Sequence, residues 1–375
     1  MRIIVSGGGT GGHIYPALAI ARYAKTKLDA QVLYIGTESG LEKDLVPRAG
    51  IECRFIQVEG LKRKVSVRAL KTAWLAMTAT LAARKELKSF RPDVVVGTGG
   101  YVVAPVVVAA YSLGIPTAIM EMDAKAGLAN RMVSRITDVV LLAMAAGASS
   151  FPRARRLAVT GNPRATEAVI AVQTSRDVAR EELALHHLPI VTIVSGSRGA
   201  KPINQMVQKW LLETDLGDMQ VVWITGEVHY EEIQSSLKKD GIAHAHLHVL
   251  PYYHEMPALI SLSTLLISRA GATILAELTA LGVPAILIPS PYVAHRHQDN
   301  NAQALVHEGA AILLPEMELS AERLQNEVTM LLQNPFRLDA MKKASKKLGR
   351  PDALERITTE LMRLTRNDKN LPSGG

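Results

Sequence analysis

Met1-Arg-Ile-Ile-Val-Ser-Gly-Gly-Gly-Thr-Gly-Gly-His13 decides the fold. A short apolar run, Ile3–Ser6, breaks into a glycine loop, and an alanine-rich helical stretch follows at Pro16–Thr26. Strand, glycine loop and helix in that order open a parallel sheet buried on both faces. Glycines after a strand let backbone N–H groups approach a phosphate, and the helix start adds partial positive charge. The loop lacks the lysine of a P-loop. Nor does an acidic residue close the next strand, Gln31–Ile35, as in a dinucleotide site (Gly36-Thr-Glu38 is the nearest). His13 ends the loop where a helix dipole keeps an imidazole neutral. That suits a general base or a hydrogen-bond donor to a diphosphate, and it also suits an ordinary cap.

The pattern continues outward. Leu41–Arg48 reads as a short helix, and Val94–Val96, Pro116–Met120 and Val139–Leu142 as strands with helical segments between them. About 190 residues after the first opening, Pro189-Ile-Val-Thr-Ile-Val-Ser-Gly-Ser-Arg-Gly-Ala200 repeats it. Strands at Gln220–Thr225, His248–Val249, Leu265–Ser268 and Ala285–Ile288 follow. The expectation is an α/β chain of two doubly wound domains, 1–163 and 164–340, with a turn-rich linker near Gly161-Asn-Pro163. Helices over Leu338–Leu364, broken near Gly349-Arg-Pro351, and a polar tail from Asn367 make up the C-terminal segment, 341–375. The composition agrees: 375 residues, 48% hydrophobic and 21% charged, mean hydropathy +0.11, support two cores and exclude a disordered chain.

One cysteine, Cys53, excludes a disulfide framework and fits a reducing compartment. The chain opens as a strand with no basic segment and apolar run before it, so a cytoplasmic protein without a signal peptide is expected. The uncharged stretch Val94–Met120 exceeds the ~20 residues that span a bilayer. Its glycines and prolines make it strand, buried helix (Pro105–Leu113) and strand instead. The net charge of +8 is uneven, because residues 1–163 carry +11 and the remainder −3. The basic half is expected to face something anionic.

Further glycine turns follow strands at Gly97-Thr-Gly-Gly-Tyr101, Ser195-Gly-Ser-Arg-Gly199 and Ser268-Arg-Ala-Gly-Ala-Thr273, the last running into a helix that carries Glu277. Loops at strand C-termini in both halves define a ligand cleft between domains. Glu277 suits a ribose diol there, or it is a solvated helix glutamate. Glu121-Met-Asp123 offers paired carboxylates for Mg²⁺ or Mn²⁺, or simply a polar loop. His244, His246 and His248 alternate, so they would share one face of an extended segment, as metal ligands or as surface residues. Tyr292–Asn301 is a polar loop suited to reading hydroxyls. Between Leu61 and Arg91 nine basic residues face one acid, Glu86, with Trp74, Leu75, Met77 and Leu81 interleaved. That segment fits contact with an anionic membrane, or a core helix with a solvated basic face. Nucleic acid is disfavoured, since aromatic residues make up only 4% of the chain.

In this order, Gly7-Gly-Gly-Thr-Gly-Gly-His-Ile-Tyr-Pro-Ala17, Gly97-Thr-Gly-Gly-Tyr101, Gly161-Asn-Pro163, Ser195-Gly-Ser-Arg-Gly-Ala200, Arg269-Ala-Gly-Ala-Thr273 with Glu277, and His297-Gln298 with Asn301-Ala302 resemble the MurG family. The resemblance covers about residues 1–360. It implies a GT-B architecture, two Rossmann-like domains facing across a cleft with the last helix crossing back. It also implies inverting, metal-independent transfer of N-acetylglucosamine from UDP-N-acetylglucosamine to the muramyl 4-hydroxyl of lipid I (undecaprenyl-diphosphoryl-muramyl-pentapeptide), giving lipid II for peptidoglycan. No cofactor is implied, and the chain would sit peripherally on the inner face of the cell membrane.

Carried over by position, Thr10, Gly11, Gly12 and His13 form the loop at the donor–acceptor junction, with His13 the candidate base and Glu121 a second catalytic candidate. Ser197 and Ala270, Gly271, Ala272 and Thr273 would hold diphosphate and nucleotide, Glu277 the ribose, and Gln298 the sugar hydroxyls. Backbone near Tyr252 and Tyr253 would read the uracil. Arg164 would supply a donor contact, although many members carry the arginine one place later, where this chain has Ala165. The family's His-Glu-Gln-Asn becomes Met120-Glu-Met-Asp123, so Asp123 puts an acid where an amide would meet the donor. A glycosyltransferase acting on another lipid such as diacylglycerol, or a dinucleotide-binding protein, are the rival readings.

Overall fold

The computed structural model describes residues 1–58, 68–196, 199–242, 244–293 and 296–366, and, of the side chains, all of these but those of 68–73. The chain divides into two compact units, one of Met1–Arg164 with the chain from Asp352, the other of Ala165–Pro351.

The first unit runs β1 (Arg2–Ser6), α1 (Gly11–Leu28), β2 (Gln31–Gly36), α2 (Glu42–Arg48), β3 (Glu52–Phe55), α3 (Arg68–Phe90), β4 (Val94–Gly97), α4 (Val103–Ser112), β5 (Thr117–Glu121), α5 (Leu128–Val133), β6 (Val139–Leu142) and β7 (Leu157–Val159). These strands form one parallel sheet in the order β3-β2-β1-β4-β5-β6-β7. β4, Val-Val-Val-Gly, is buried along its length, as a central strand covered on both faces must be. Ile4, Val95, Val103, Val106, Ile119 and Leu87 share its core. β1 and β4 are neighbours with Ser6 level with Gly97, and the strand order reverses between them. Crossovers leave in opposite directions at such a point and open a crevice at the strand C-termini.

α6 (Pro163–Glu182) leads into the second unit. There β8 (Ile190–Val194), α7 (Lys201–Glu213), β9 (Gln220–Ile224), α8 (Glu227–Lys239), β10 (Leu247–Leu250), α9 (Met256–Leu262), β11 (Leu265–Ser268), α10 (Ala272–Leu281), β12 (Ala285–Leu287), α11 (His297–His307), β13 (Ala311–Leu313), α12 (Ala321–Leu332) and α13 (Pro335–Leu348) alternate in the same way. The sheet is again parallel, ordered β10-β9-β8-β11-β12-β13, with its reversal between β8 and β11, where Val194 is level with Ser268. Trp210 and Trp223 are buried in its core. α13 packs on α10 in this unit, whereas α14 (Ala353–Thr365) packs on α1 of the first. Val94–Met120 resolves into β4, α4 and β5, and among the described residues no helix is long and apolar enough to cross a membrane.

Two features differ from the sequence reading. The edge strands β3, β7 and β13 escape it, because β3 interleaves Glu52 and Arg54 with its apolar residues and β7 and β13 are only three residues long. α1 begins at Gly11, five residues before Pro16, since tertiary bonds overrule glycine's poor helix propensity. The Thr10 carbonyl accepts the N–H groups of His13 and Ile14, both at 3.1 Å. The Thr98 hydroxyl donates to the His13 carbonyl at 2.8 Å.

Candidate active site

At the first reversal the two glycine loops interlock. Gly8 N–H donates to Gly99 O at 3.2 Å, and a Cβ on Gly100 (φ +87°) would lie 2.2 Å from Gly8 O, so only glycine fits. His13 Nδ1 lies 3.1 Å from Gly8 O and 3.3 Å from Thr10 Oγ1. A carbonyl can only accept, so Nδ1 carries the proton and Nε2 is the basic nitrogen of the neutral ring. The imidazole lies against Gly99, where a Cβ would come within 2.6 Å of His13 Cδ2. Thr10, Gly11 and Gly12 form the cap and first turn of α1 beside it, and Thr10 and Gly12 are exposed. Glu42 is fully buried beneath this loop. Sequence reasoning missed it, because an acid opening a short helix reads as a solvated one.

Glu121 ends β5. Its Oε1 accepts the N–H groups of Met122 (3.0 Å) and Asp123 (3.1 Å), and its Oε2 those of Gly127 (3.1 Å) and the Asn130 amide (2.9 Å). Burial pushes this carboxyl above its usual pKa, and the N–H donors partly oppose that rise. With four donors on it, the carboxylate folds its own loop. Asp123 is half-buried on that loop. Among the described residues no group of three or more His, Cys, Asp or Glu is placed to hold a metal ion. Arg164, half-buried in the first turn of α6, donates its backbone N–H to Asn162 Oδ1 at 3.0 Å. The next residue, Ala165, is buried.

The second unit presents a separate set of loops, all at strand C-termini. After β8, Ser195 Oγ donates to Asn204 Oδ1 (3.0 Å), and Asn204 Nδ2 donates to Thr225 O (2.8 Å) at the end of β9. Asn204 was also passed over in the sequence, and Ser197 lies outside the described residues. After β11, Arg269 pairs with Glu316 and donates to Ile288 O at 3.1 Å. Asn301 Nδ2 donates to Ala270 O at 3.2 Å. Gly271 caps α10, whose first turn holds Ala272 and Thr273. Glu277 lies on the same helix and is only 5% exposed, which excludes the solvated-glutamate reading. Gln298 Oε1 accepts Ser290 N–H at 2.9 Å, which orients its amide. Beyond β10, Tyr252 is exposed and edge-on to His254. Tyr253 donates to Glu182 Oε2 at 3.0 Å, and burial followed by that bond pushes its phenol up to about 12.

The alternating histidines do not form one face. Only His248 lies in β10, while His244 and His246 occupy the turn before it, and His244 Nε2 meets Leu211 O at 3.1 Å. On α3, Ala79, Ala83 and Leu87 are buried at helical spacing, so one face does join the core. Trp74, Met77 and Leu81 are exposed on the same helix, and Val108 and Tyr111 are exposed on α4, which packs against it. Lys62, Arg63 and Lys64 lie outside the described residues, as does the side chain of Arg68.

Comparison with known proteins gives two family matches in chain order. Residues 3–142 match the glycosyltransferase family 28 N-terminal domain, and residues 190–357 its C-terminal domain. A Bacillus licheniformis protein named UDP-N-acetylglucosamine–N-acetylmuramyl-(pentapeptide) pyrophosphoryl-undecaprenol N-acetylglucosamine transferase is 45% identical over 98% of this chain and 100% of its own. The crystal structure of Acinetobacter baumannii MurG superposes with a TM-score of 0.79 at 29% identity, covering 96% of this chain and 99% of that one. A UDP-GlcNAc 2-epimerase from Neisseria meningitidis, solved with UDP-GlcNAc, gives a TM-score of 0.68 at 15% identity, covering 97% and 100%. That last likeness is one of fold alone.

Proposed function

From the premise that the chain belongs to glycosyltransferase family 28, and within it to the MurG family, we propose how its two loop sets divide the work of an N-acetylglucosaminyltransferase. The chain uses UDP-N-acetylglucosamine as donor and lipid I as acceptor, and yields lipid II. The observation that carries this assignment is the 45% identity to a transferase of that name along 98% of the chain.

His13 Nε2 takes the proton of the muramyl 4-hydroxyl as its oxygen attacks the anomeric carbon. The anomeric C–O bond breaks, its electron pair leaves with UDP, and the configuration inverts. The tautomer held by Gly8 O supports this role, since the proton sits on the other ring nitrogen. Glycine-loop N–H groups and the α10 start oppose the charge developing on the diphosphate, with Ala270–Thr273 as the donor loop and Arg164 a further contact. Glu277 binds the ribose, Gln298 the sugar hydroxyls and backbone at Tyr252 the uracil, all from the second unit. Glu121 shapes the loop that presents Asp123 and does not touch substrate. The exposed apolar residues of α3 and α4, with the basic residues around 61–91, rest on the anionic inner face of the membrane, where the acceptor's lipid tail is anchored.

UDP release tests this reading. It should require lipid I and should not be supported by diacylglycerol. UDP should also protect the chain against heat unfolding while NAD does not. Protection by NAD and none by UDP would return the dinucleotide reading.

A further inference from the structure

We infer that Glu42 is a positioning residue for His13: its buried carboxylate wedges the first glycine loop so that Gly8 O accepts the hydrogen bond of His13 Nδ1–H. The catalytic meaning of this rests on His13 being the base; the geometry does not. Glu42 opens α2 and is 0% exposed. Its Oε1 accepts the Thr37 hydroxyl (2.7 Å) and the Thr37 N–H (3.1 Å), and its Oε2 accepts Gly9 N–H (3.4 Å). Burying a carboxylate costs several kcal/mol unless donors surround it, so this group is tied to its place.

The surrounding backbone is cut to fit it. A Cβ on Gly8 would lie 2.6 Å from Glu42 Oε1, on Gly36 2.7 Å from its Cγ, and on Gly40 2.0 Å from its Oε2. Three glycines from two loops thus leave room for one carboxylate. Gly8 is the residue whose carbonyl faces His13 Nδ1 at 3.1 Å. Glu42 therefore reaches the imidazole through a single residue. Two further hydroxyls brace this arrangement, one on the loop itself and one on Thr37. Tyr34 donates to Gly7 O at 2.6 Å, and Tyr101 OH lies 3.4 Å from Thr37 Oγ1. Burial first, and the Glu42 charge second, hold the Tyr34 phenol well above its usual pKa, so that donor keeps its proton.

Glu42→Gln keeps the size, loses the charge and turns an NH₂ toward groups that are themselves donors. In protein labelled with ¹⁵N at the imidazoles, the His13 signals, assigned by their loss in His13→Asn, should report the Nδ1–H tautomer in the parent. In Glu42→Gln they should move toward the Nε2–H form. Turnover should fall roughly 10- to 100-fold, the scale expected when a catalytic group is misplaced by about 1 Å, with the donor KM within about twofold. Thr37→Val, which removes the 2.7 Å donor, should produce a smaller change of the same kind, and Thr37→Ser should restore the parent. A parent-like circular dichroism spectrum and parent-like dispersion of amide signals from the first unit show that the variants are folded. Should Glu42→Gln fail to fold, the Thr37 pair decides. An unchanged tautomer with full turnover in the folded variants overturns the inference. Full turnover in His13→Asn would instead remove the base reading, and the tautomer shift would still decide the role of Glu42.

Discussion

The loops at the two sheet reversals share one form and differ in what holds them. The loop after β1 is braced from behind by an anion, Glu42, and ends in a titratable ring whose proton is fixed by Gly8 O. The loop after β11 is held by the Asn301 amide on Ala270 O and by Arg269, whose guanidinium pairs with Glu316 and donates to Ile288 O, and it carries no histidine. A buried negative charge behind a loop disfavours a diphosphate on it and suits proton transfer. A glycine loop that opens a helix suits the diphosphate. On the proposed reading one local motif, strand–glycine–helix, serves two chemistries according to the side chains packed beneath it.

The comparison breaks most visibly at His13. Replacing it with Ala should lower turnover about 10²- to 10⁴-fold, the usual worth of a general base, and leave UDP affinity unchanged. Calorimetry with UDP beside steady-state rates checks both halves of that statement. The mirror-image change, Glu277→Ala, should weaken UDP binding by roughly 1–3 kcal/mol, the scale of a lost charge-assisted hydrogen bond, with acceptor affinity retained. Unchanged UDP affinity together with weakened lipid binding would invert the assignment of the two units.

Smaller effects sharpen it. Changing Lys62, Arg63, Lys64 and Arg68 to Gln should cost membrane affinity about 1 kcal/mol per residue. Trp74→Ser with Met77→Ser should add to the loss. Sedimentation with anionic vesicles measures this, and binding should weaken with salt, since charge is screened beyond ~8 Å at physiological ionic strength. Activity on a short-chain soluble acceptor should be spared. Smallest of all, a chelator should leave turnover unaltered. Loss restored by Mg²⁺ or Mn²⁺ would move the diphosphate from the loop N–H groups to a metal held at Glu121 and Asp123.

The central strands were legible because burial on both faces leaves an almost wholly apolar run bounded by turn residues, as at β4 and β11. The edges β3 and β7 were not, since exposed positions admit Glu52 and Arg54 in β3 and β7 is only three residues long. The glycine loops and His13 could be read from spacing. Glu42, Asn130 and Asn204 could not, because a buried polar side chain is defined by what folds over it, and nothing local distinguishes it from a solvated one. Glu277 shows a related limit, since alone it reads as a solvated helix glutamate as readily as a ribose ligand, and its burial is set by what folds over α10.

Identifying the product tests the central claim most directly. UDP-N-acetylglucosamine labelled in the sugar, lipid I and the purified chain should give UDP and a lipid-linked disaccharide. Nuclear magnetic resonance should show the new bond at the muramyl 4-oxygen with the anomeric configuration opposite to that of the donor. Label remaining in the nucleotide sugar, whether untouched or epimerised at C2, or a product with the donor's configuration retained, would contradict the account.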